Sequence, residues 1–361
     1  MKIELFNPPR FELSMLDFEY LSSCVEKQLI YASKGRYAIG HILKASNLSN
    51  RKILVSPYMC DSVFRELEAL GMEVLFYDID TEDMNPLAGS VDRRIDETDA
   101  GVVIAPSIYG NAADMVQIEY ICKENKVLLI DDAAQSFGTK LNDRWIGTFG
   151  NGGLWAFSPG KATAGHMGAL FWTDNDHYEI RRTHHPFAHW MAWKDFKINR
   201  LNAYKSGILS KNVVSKVNAV TQHFSDIQND DMELFEKEIM GGIINGVLNG
   251  DFSFRKEELQ RFTDEFSDIS AFRVIQSKRG EPNPHKIVLV FERIDMADRF
   301  KQMLNINSIS YFQGYDLERD EYADLRGAQS VKNKIIELPI EKDRKHMDYI
   351  YSCVDSFVRK I

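Results

Sequence analysis

Short apolar runs alternate with helix-like segments between residues 35 and 172, and this alternation constrains the fold more than any other feature. Most runs are four or five residues long, which is too short for a helix and typical of a strand buried on both faces. They are KILV (52–55), EVLFY (73–77), GVVIA (101–105), VLLI (127–130) and LWAF (154–157), followed by Phe171-Trp172. Segments with apolar residues at helical spacing begin near residues 35, 63 and 115. The pattern predicts an α/β fold with a mostly parallel sheet covered by helices.

The last 90 residues or so follow a different pattern and predict a second, smaller α/β unit. Strands are predicted at 284–292 and 308–315, and helices at 296–304 and 343–361. Two further helices, 231–252 and 255–266, precede this part. We therefore predict a large domain over residues 1–250 and a small C-terminal α/β domain over residues 251–361.

Composition and charge narrow the class of protein. With 361 residues and a net charge of −9, the chain lacks the basic surplus that nucleic-acid binding requires. No run of about 18 apolar residues is present, so we expect no membrane-spanning helix. The four cysteines are far apart and form no C-x-x-C pair, which indicates reduced thiols and no zinc site. We expect a cytoplasmic protein.

Charged residues follow two of the predicted strands. Asp131 and Asp132 end the VLLI strand, and Lys161 follows the LWAF strand, 29 positions after Asp132. Ligands of open α/β sheets bind at the carboxyl ends of the strands. A lysine amine can form a Schiff base with pyridoxal 5′-phosphate, and a carboxylate can keep the cofactor's ring nitrogen protonated. Lys161 together with one of these two carboxylates therefore suits pyridoxal phosphate chemistry.

Other readings of the same residues fit less well. A phosphate-binding loop needs four residues between its glycines and Ser or Thr after its lysine, whereas six residues lie between Gly153 and Gly160 and Ala162 follows Lys161. Ser158-x-x-Lys161 matches the nucleophile motif of penicillin-interacting enzymes, but its partner motifs are wrongly ordered and spaced. The histidines at 184, 185 and 189 lack a carboxylate or Cys at a recognised metal-binding spacing, so we predict no metal site.

The stretch DDAAQSFG (131–138), with the glycine-rich turn and the PGK (159–161) behind it, resembles the DegT/DnrJ/EryC1/StrS aminotransferases. The resemblance is strongest over residues 35 to 172. It implies a fold-type I pyridoxal phosphate enzyme, with Lys161 as the Schiff-base lysine, Asp132 at the ring nitrogen and Gln135 near the ring hydroxyl. It also implies a homodimer with shared active sites. Asp131 stands where the family usually has glutamate and receives no catalytic role.

The resemblance assigns further residues to the site. Gly35 and Arg36 stand where the family binds the cofactor phosphate at a helix N-terminus, and Arg36 replaces a hydroxyl residue with a guanidinium. Tyr58 is the aromatic residue available to stack on the cofactor. Cys60 is the alternative residue for the family's stacking position. Ser158 is the candidate for a second phosphate contact. His166 and Tyr109 are candidates for substrate contact.

The implied reaction moves an amino group from L-glutamate to a keto sugar, which is expected to be linked to a nucleotide diphosphate and used for surface polysaccharide such as O-antigen. Two alternatives stay open. One is an aminotransferase for a non-sugar ketone such as a cyclitol. The other is a homologue that has lost catalysis and serves in binding or regulation. His166 at a usual glutamate position favours this last reading, as does the missing Asn-Tyr-Arg stretch, for which Asn229 is the nearest candidate. Intact Lys161, Asp132 and Gln135 oppose it.

Overall fold

The computed structural model describes residues 18–157, 161, 168–179 and 253–361. Within them the chain forms a seven-stranded sheet, a three-stranded sheet and a two-stranded hairpin. The predictions for Ser158, His166, Asn229, the three histidines at 184–189 and the helix at 231–252 lie outside the described residues, and so does the predicted domain boundary at residue 250. No helix among the described residues is long and apolar enough to cross a bilayer.

The seven-stranded sheet has the order β1-β9-β8-β5-β4-β2-β3. Its strands are β1 (Ile30–Ala32), β2 (Lys52–Val55), β3 (Glu73–Phe76), β4 (Val102–Pro106), β5 (Leu128–Asp132), β8 (Gly152–Ala156) and β9 (Ala169–Thr173), and β6 (Lys140–Leu141) and β7 (Arg144–Trp145) form the hairpin. The pairs from β3 to β8 are parallel, whereas β9 and β1 add two antiparallel pairs at one edge. The mostly parallel α/β sheet is therefore confirmed.

Helices follow the strands of this sheet and pack on both of its faces. They are α1 (Phe18–Val25), α2 (Gly35–Ala45), α3 (Asp61–Ala69), α4 (Ala88–Thr98) and α5 (Met115–Glu124). Side chains alternate between the faces because successive residues of a strand point in opposite directions. Ile53 and Ile104 lie in the core shared with α2 and α3, while Leu54 and Val103 lie in the core shared with α4 and α5.

The three-stranded sheet is antiparallel and has the order β10-β11-β12. It consists of β10 (Phe272–Val274), β11 (Lys286–Phe291) and β12 (Ile335–Pro339), with α6 (Phe254–Glu265), α7 (Ile294–Ile306), α8 (Arg326–Val331) and α9 (Arg344–Val358) around it. Ile287 and Leu289 pack into a core with residues of α6, α7 and α9, but Val288 and Val290 belong to the core of the seven-stranded sheet. One face of the smaller sheet is thus packed against the larger unit.

Asp78, just after β3, ties the two parts together. Its Oδ2 accepts a hydrogen bond from the Gly327 N–H at 2.7 Å, and its Oδ1 accepts from the Ala328 N–H at 3.0 Å, both in the first turn of α8. A carboxylate at this place satisfies N–H groups that have no partner inside the helix. Nearby, the Arg279 guanidinium forms an ion pair with the buried Asp83 carboxylate, at an N–O distance of 3.2 Å.

The predicted strand at 308–315 is wrong. This segment has an isolated bridge, Phe312 to Glu337, and no strand. Ser308 and Gly314 have φ angles of 56° and 75°, which turn the chain out of the extended conformation at both ends of the segment. The sequence analysis missed the strands β1, β6, β7, β10 and β12 and the helices α4 and α8.

Asp131 is buried and stabilises a turn on the α4/α5 face of the larger sheet. Its Oδ2 accepts hydrogen bonds from the N–H groups of Gly147 at 2.6 Å and Phe149 at 3.1 Å. Burial raises the pKa of the Asp131 carboxyl to about 7, against the opposing effect of these two hydrogen bonds.

Asp131→Asn should flatten the pH dependence of stability between about pH 4 and pH 7. The raised folded-state pKa means that the contribution of Asp131 is greatest at low pH and is lost as the pH rises from the ordinary aspartate value of about 4 through about 7. Asparagine keeps an acceptor oxygen but does not titrate. Urea unfolding at several pH values measures this slope. Asp131→Ala should instead lose stability at every pH, by about 1–3 kcal/mol for each N–H left unpaired. An unchanged slope in Asp131→Asn would contradict the assignment.

Asp78→Ala should lower the free energy of unfolding by about 1–3 kcal/mol, because buried N–H groups at the start of α8 lose their acceptor. Chemical denaturation measures the loss. Asp96→Ala, on the exposed side of α4, is the matched control and should change stability by about 0.5 kcal/mol or less. Equal effects of the two substitutions would argue against the contact.

Candidate active site

Asp132 lies at the carboxyl end of β5, in the middle of the larger sheet. Strand alternation turns it to the face opposite Asp131, toward α2, α3 and the three-stranded sheet. Its Oδ1 accepts a hydrogen bond from the Ala134 N–H at 3.0 Å. Burial raises the pKa of the Asp132 carboxyl, while the Ala134 N–H and the positive charge of Lys161 oppose that shift. The charge of Lys161 thus acts on this carboxylate, and the pairing of the two as catalytic groups stays a prediction.

Lys161 follows β8 by a few residues and is partly buried. Burial is the main cause that lowers the pKa of its amine, and the neighbouring cation Lys286 lowers it as well. Asp132, Cys60 and Glu337 act in the opposite direction. A lysine with a lowered pKa carries a larger fraction of neutral amine, which is the nucleophilic form.

The N-terminus of α2 lies beside the end of β8. A Cβ added to Gly35 would contact Ala156 and Leu154 at 3.4 Å, so the first residue of the helix packs directly on the strand that leads to Lys161. Lys34 is the N-cap residue and makes no side-chain cap hydrogen bond. This end of a helix favours an anion because of the orientation of its N–H groups and its dipole. Its position fits the predicted phosphate site.

Arg36 and Tyr58, two further predicted cofactor residues, both contact tyrosine side chains. The Arg36 guanidinium donates to the Tyr37 hydroxyl at 3.3 Å and lies over that ring. Tyr58 is fully buried, with its ring edge-on to the rings of Tyr109 and Tyr315. Contact of either residue with a cofactor stays a prediction.

A buried chain of hydrogen bonds joins the larger sheet to the smaller one through Tyr109. The Tyr109 hydroxyl donates to Glu337 Oε1 at 2.6 Å, and its oxygen lies 2.5 Å from the Tyr58 hydroxyl. Lys286 pairs with the other oxygen of Glu337. Tyr109 has a left-handed backbone (φ 61°), a conformation that non-glycine residues adopt when surrounding contacts hold them there. The structure thus fixes the predicted substrate residue from several sides.

Gln135 links this chain to a second tyrosine of the smaller unit. Its Oε1 accepts a hydrogen bond from the Tyr109 N–H at 3.2 Å, and its Nε2 donates to the Tyr315 hydroxyl at 2.7 Å. His285 lies beside the Tyr109 ring, and neither of its ring nitrogens has a hydrogen-bond partner in the part of the chain that the structure describes. Burial is the main cause that lowers the pKa of His285.

The sequence analysis missed four polar residues of this site, all from the C-terminal part: His285, Lys286, Tyr315 and Glu337. One signal was present for Glu337, which interrupts the apolar run Ile335–Pro339 with a carboxylate. A charged residue inside a buried strand needs a partner. The pairing with Lys286, however, depends on the register of β11 and β12, in which Val288 lies opposite Glu337.

The residues present fit pyridoxal phosphate. They supply an amine with a lowered pKa, a buried carboxylate on which the charge of that amine acts, and a helix N-terminus beside the strand that leads to the amine. Lys161, Asp132 and Gly35 would hold the reactive carbon, the ring nitrogen and the phosphate, respectively.

Comparisons with known proteins agree with this chemistry. The chain is 24% identical over 168 residues to a GDP-perosamine synthase of Vibrio cholerae, an alignment that covers 46% of this chain and 44% of that protein. It is 31% identical over 170 residues to the L-glutamine:2-deoxy-scyllo-inosose aminotransferase of Micromonospora echinospora, covering 46% of this chain and 38% of that protein. Each alignment thus covers less than half of the length of the curated relative.

The solved structure of the aminotransferase TlmJ from Streptoalloteichus hindustanus has the same fold, with a TM-score of 0.75, 15% identity and coverage of 99% of both chains. At this level of identity the likeness shows the fold alone. The profile of the DegT/DnrJ/EryC1/StrS aminotransferase family matches residues 19–205, which is more than half of the sequence. The chain therefore belongs to the DegT/DnrJ/EryC1/StrS aminotransferase family, whose cofactor is pyridoxal 5′-phosphate.

Proposed function

We propose that this protein is an aminotransferase that moves an amino group from L-glutamate to a keto sugar linked to a nucleoside diphosphate. The observation that carries the proposal is the placement of Asp132 at the carboxyl end of β5 and of Lys161 beyond the carboxyl end of the adjacent parallel strand β8. Asp132 is buried and Lys161 partly buried, and the surroundings shift the pKa of each group, which is typical of catalytic residues.

Each residue has a distinct task in this reaction. When bound, pyridoxal phosphate supplies an aldehyde that captures amines and a ring that withdraws electrons. The Lys161 amine holds the cofactor and, once released, carries a proton to and from the reacting carbon. The Asp132 carboxylate keeps a proton on the ring nitrogen. The N-terminus of α2, at Gly35 and Arg36, binds the phosphate, and Ser158 donates to it as well.

The match to a GDP-perosamine synthase supports a nucleotide-linked sugar as the acceptor. Tyr109 and His166 contact that acceptor in our proposal, which assigns the enzyme to surface polysaccharide biosynthesis such as O-antigen. The match to an inosose aminotransferase favours a second candidate, a cyclitol ketone, with L-glutamine as the donor.

The proposal also covers the assembly and the location. The enzyme is a cytoplasmic homodimer whose subunits share their active sites. Each chain has a large domain over residues 1–250 and a small domain over residues 251–361, and the substrate sits where the two sheets meet.

The first test is the visible absorption spectrum of the protein with pyridoxal phosphate. The wild type should develop a cofactor band that L-glutamate bleaches and a suitable keto sugar restores. Lys161→Ala should form no such band through its own side chain and should lower the transamination rate by about 10²–10⁴-fold or more. Lys123→Ala, on the exposed side of α5, is the matched lysine control and should behave as wild type.

Three results would change the proposal. A wild type without any cofactor band would remove the roles of Lys161 and Asp132 and favour a binding protein. A band that responds to L-glutamine but not to L-glutamate would identify the other donor. A bleached band that nucleotide-linked keto sugars leave unchanged, and that a cyclitol ketone restores, would favour the second candidate.

Glu337→Gln and Lys286→Met should shift the pH dependence of cofactor capture in opposite directions. The Glu337 carboxylate raises the pKa of Lys161, so its removal should move the capture profile to lower pH. Lys286 lowers that pKa, so its removal should move the profile to higher pH. The rate at which the cofactor band appears, measured across pH, gives both shifts.

Lys301→Met is the control for the loss of a lysine, since Lys301 pairs with Asp298 on α7, away from this site. Its profile should match that of the wild type. Shifts of Glu337→Gln and Lys286→Met in the same direction would contradict the electrostatic assignment.

A further inference from the structure

Tyr315 reaches the active site from the segment between α7 and β12. Gly314 has a φ of 75°, and a Cβ at this position would lie 2.4 Å from the Tyr58 hydroxyl. Only glycine allows this close approach. The Tyr315 ring consequently packs edge-on to Tyr58, with a centroid distance of 5.1 Å.

The hydrogen bonds of Gln135 fix what the Tyr315 hydroxyl can do. A backbone N–H can only donate, so the Gln135 atom that faces the Tyr109 N–H at 3.2 Å must be the oxygen. The Gln135 NH₂ group therefore faces Tyr315, and the Tyr315 oxygen accepts its hydrogen bond at 2.7 Å. The single proton of the Tyr315 hydroxyl is left for another acceptor.

The neighbouring tyrosines have already used their protons. Glu337 is a carboxylate paired with Lys286, so the Tyr109 hydroxyl donates to it at 2.6 Å. The Tyr58 hydroxyl then donates to the Tyr109 oxygen at 2.5 Å. Among the residues that the structure describes, the Tyr315 proton has no acceptor.

The surroundings of Tyr315 place this free donor in the site. The charges of Cys60, Glu337 and Asp132 all act on its hydroxyl, and burial is the main cause that raises its pKa, so the proton stays in place at neutral pH. Tyr315 is partly buried, and a hydroxyl group shielded from water loses free energy when its hydrogen-bonding capacity is unused. A ligand oxygen in the site would supply the missing acceptor.

We propose that Tyr315 is a ligand-binding residue whose hydroxyl donates a hydrogen bond to an oxygen atom of the bound ligand. This inference rests on the proposed function. Two sources supply such an oxygen. One is the ring hydroxyl of the cofactor, near which the family resemblance puts Gln135. The other is a carbonyl, hydroxyl or carboxylate oxygen of the substrate. Gln135 orients the hydroxyl in both cases.

Tyr315→Phe removes the donor and retains the ring. Tyr311→Phe is the matched control, because the Tyr311 hydroxyl lies 3.3 Å from its partner Asn305 and its ring packs on the far core of the smaller sheet. Two sets of measurements are made on each protein. The first is the absorption spectrum of the bound cofactor, its pH titration and the cofactor affinity without substrate. The second is kcat and KM for L-glutamate and for the keto sugar.

If the acceptor is the cofactor oxygen, Tyr315→Phe should shift the cofactor band or its pH midpoint and weaken cofactor binding by about 5- to 100-fold. If the acceptor belongs to a substrate, the spectrum should be unchanged and the KM of that substrate should rise by a similar factor. A Tyr315→Phe protein that matches wild type and Tyr311→Phe in both sets would overturn the inference.

A fluorinated tyrosine at position 315 provides a second variant, in case Tyr315→Phe fails to fold. It keeps the shape and the bond from Gln135 but makes the hydroxyl a stronger donor. The affected readout should move opposite to that of Tyr315→Phe, and an unchanged readout overturns the inference. A wild-type protein that shows no cofactor band would overturn both the proposed function and this inference. A normal band with no effect of either variant would remove only the role of Tyr315.

Discussion

The alternation of side chains along buried strands is the constraint on which the site depends. In β5 it sends Asp131 to one face, where it holds the turn at Gly147 and Phe149, and Asp132 to the other, where it faces Lys161. The same rule applied to β11 and β12 points Lys286 and Glu337 at the larger sheet. Two sheets of different topology therefore direct charged groups into one gap.

Burial of these charges gives the site its chemistry. Glu337 forms an ion pair with Lys286, and the negative charge of Asp132 acts on the Lys161 amine, so each cation has an opposite charge that favours its charged form. The compensation of Lys161 is incomplete, because burial outweighs the carboxylates and lowers its pKa. The lowered pKa increases the neutral fraction of the amine, while the hydrogen bonds from Glu337 through Tyr109 to Tyr58 give the hydroxyls a defined direction.

The larger sheet was predictable because its strands are short apolar runs separated by amphipathic helices, and β2, β4 and β5 appear within a few residues of their predicted bounds. The C-terminal part was less predictable. Apolar and aromatic residues at 308–315 indicate a strand, but left-handed residues near both ends and the contact of Gly314 with Tyr58 produce an irregular segment. In β12, Glu337 breaks the apolar pattern that would have identified the strand.

By itself, the sequence determined the parallel sheet, the position of Asp132 at a strand end and a lysine beyond the next strand, since these follow from local apolar patterns and from the rule that sites form at carboxyl edges. The choice of Asp132 over Asp131 for the site came from the family resemblance, and strand alternation in the folded chain supplies its physical reason. Only the tertiary structure decided which residues face this edge from the C-terminal part. Lys286, Tyr315 and Glu337 are 154 to 205 positions from Asp132 in the chain, and they meet it because the smaller sheet packs one face against the larger unit. No local pattern encodes a contact of that range, because it depends on the register and docking of two sheets.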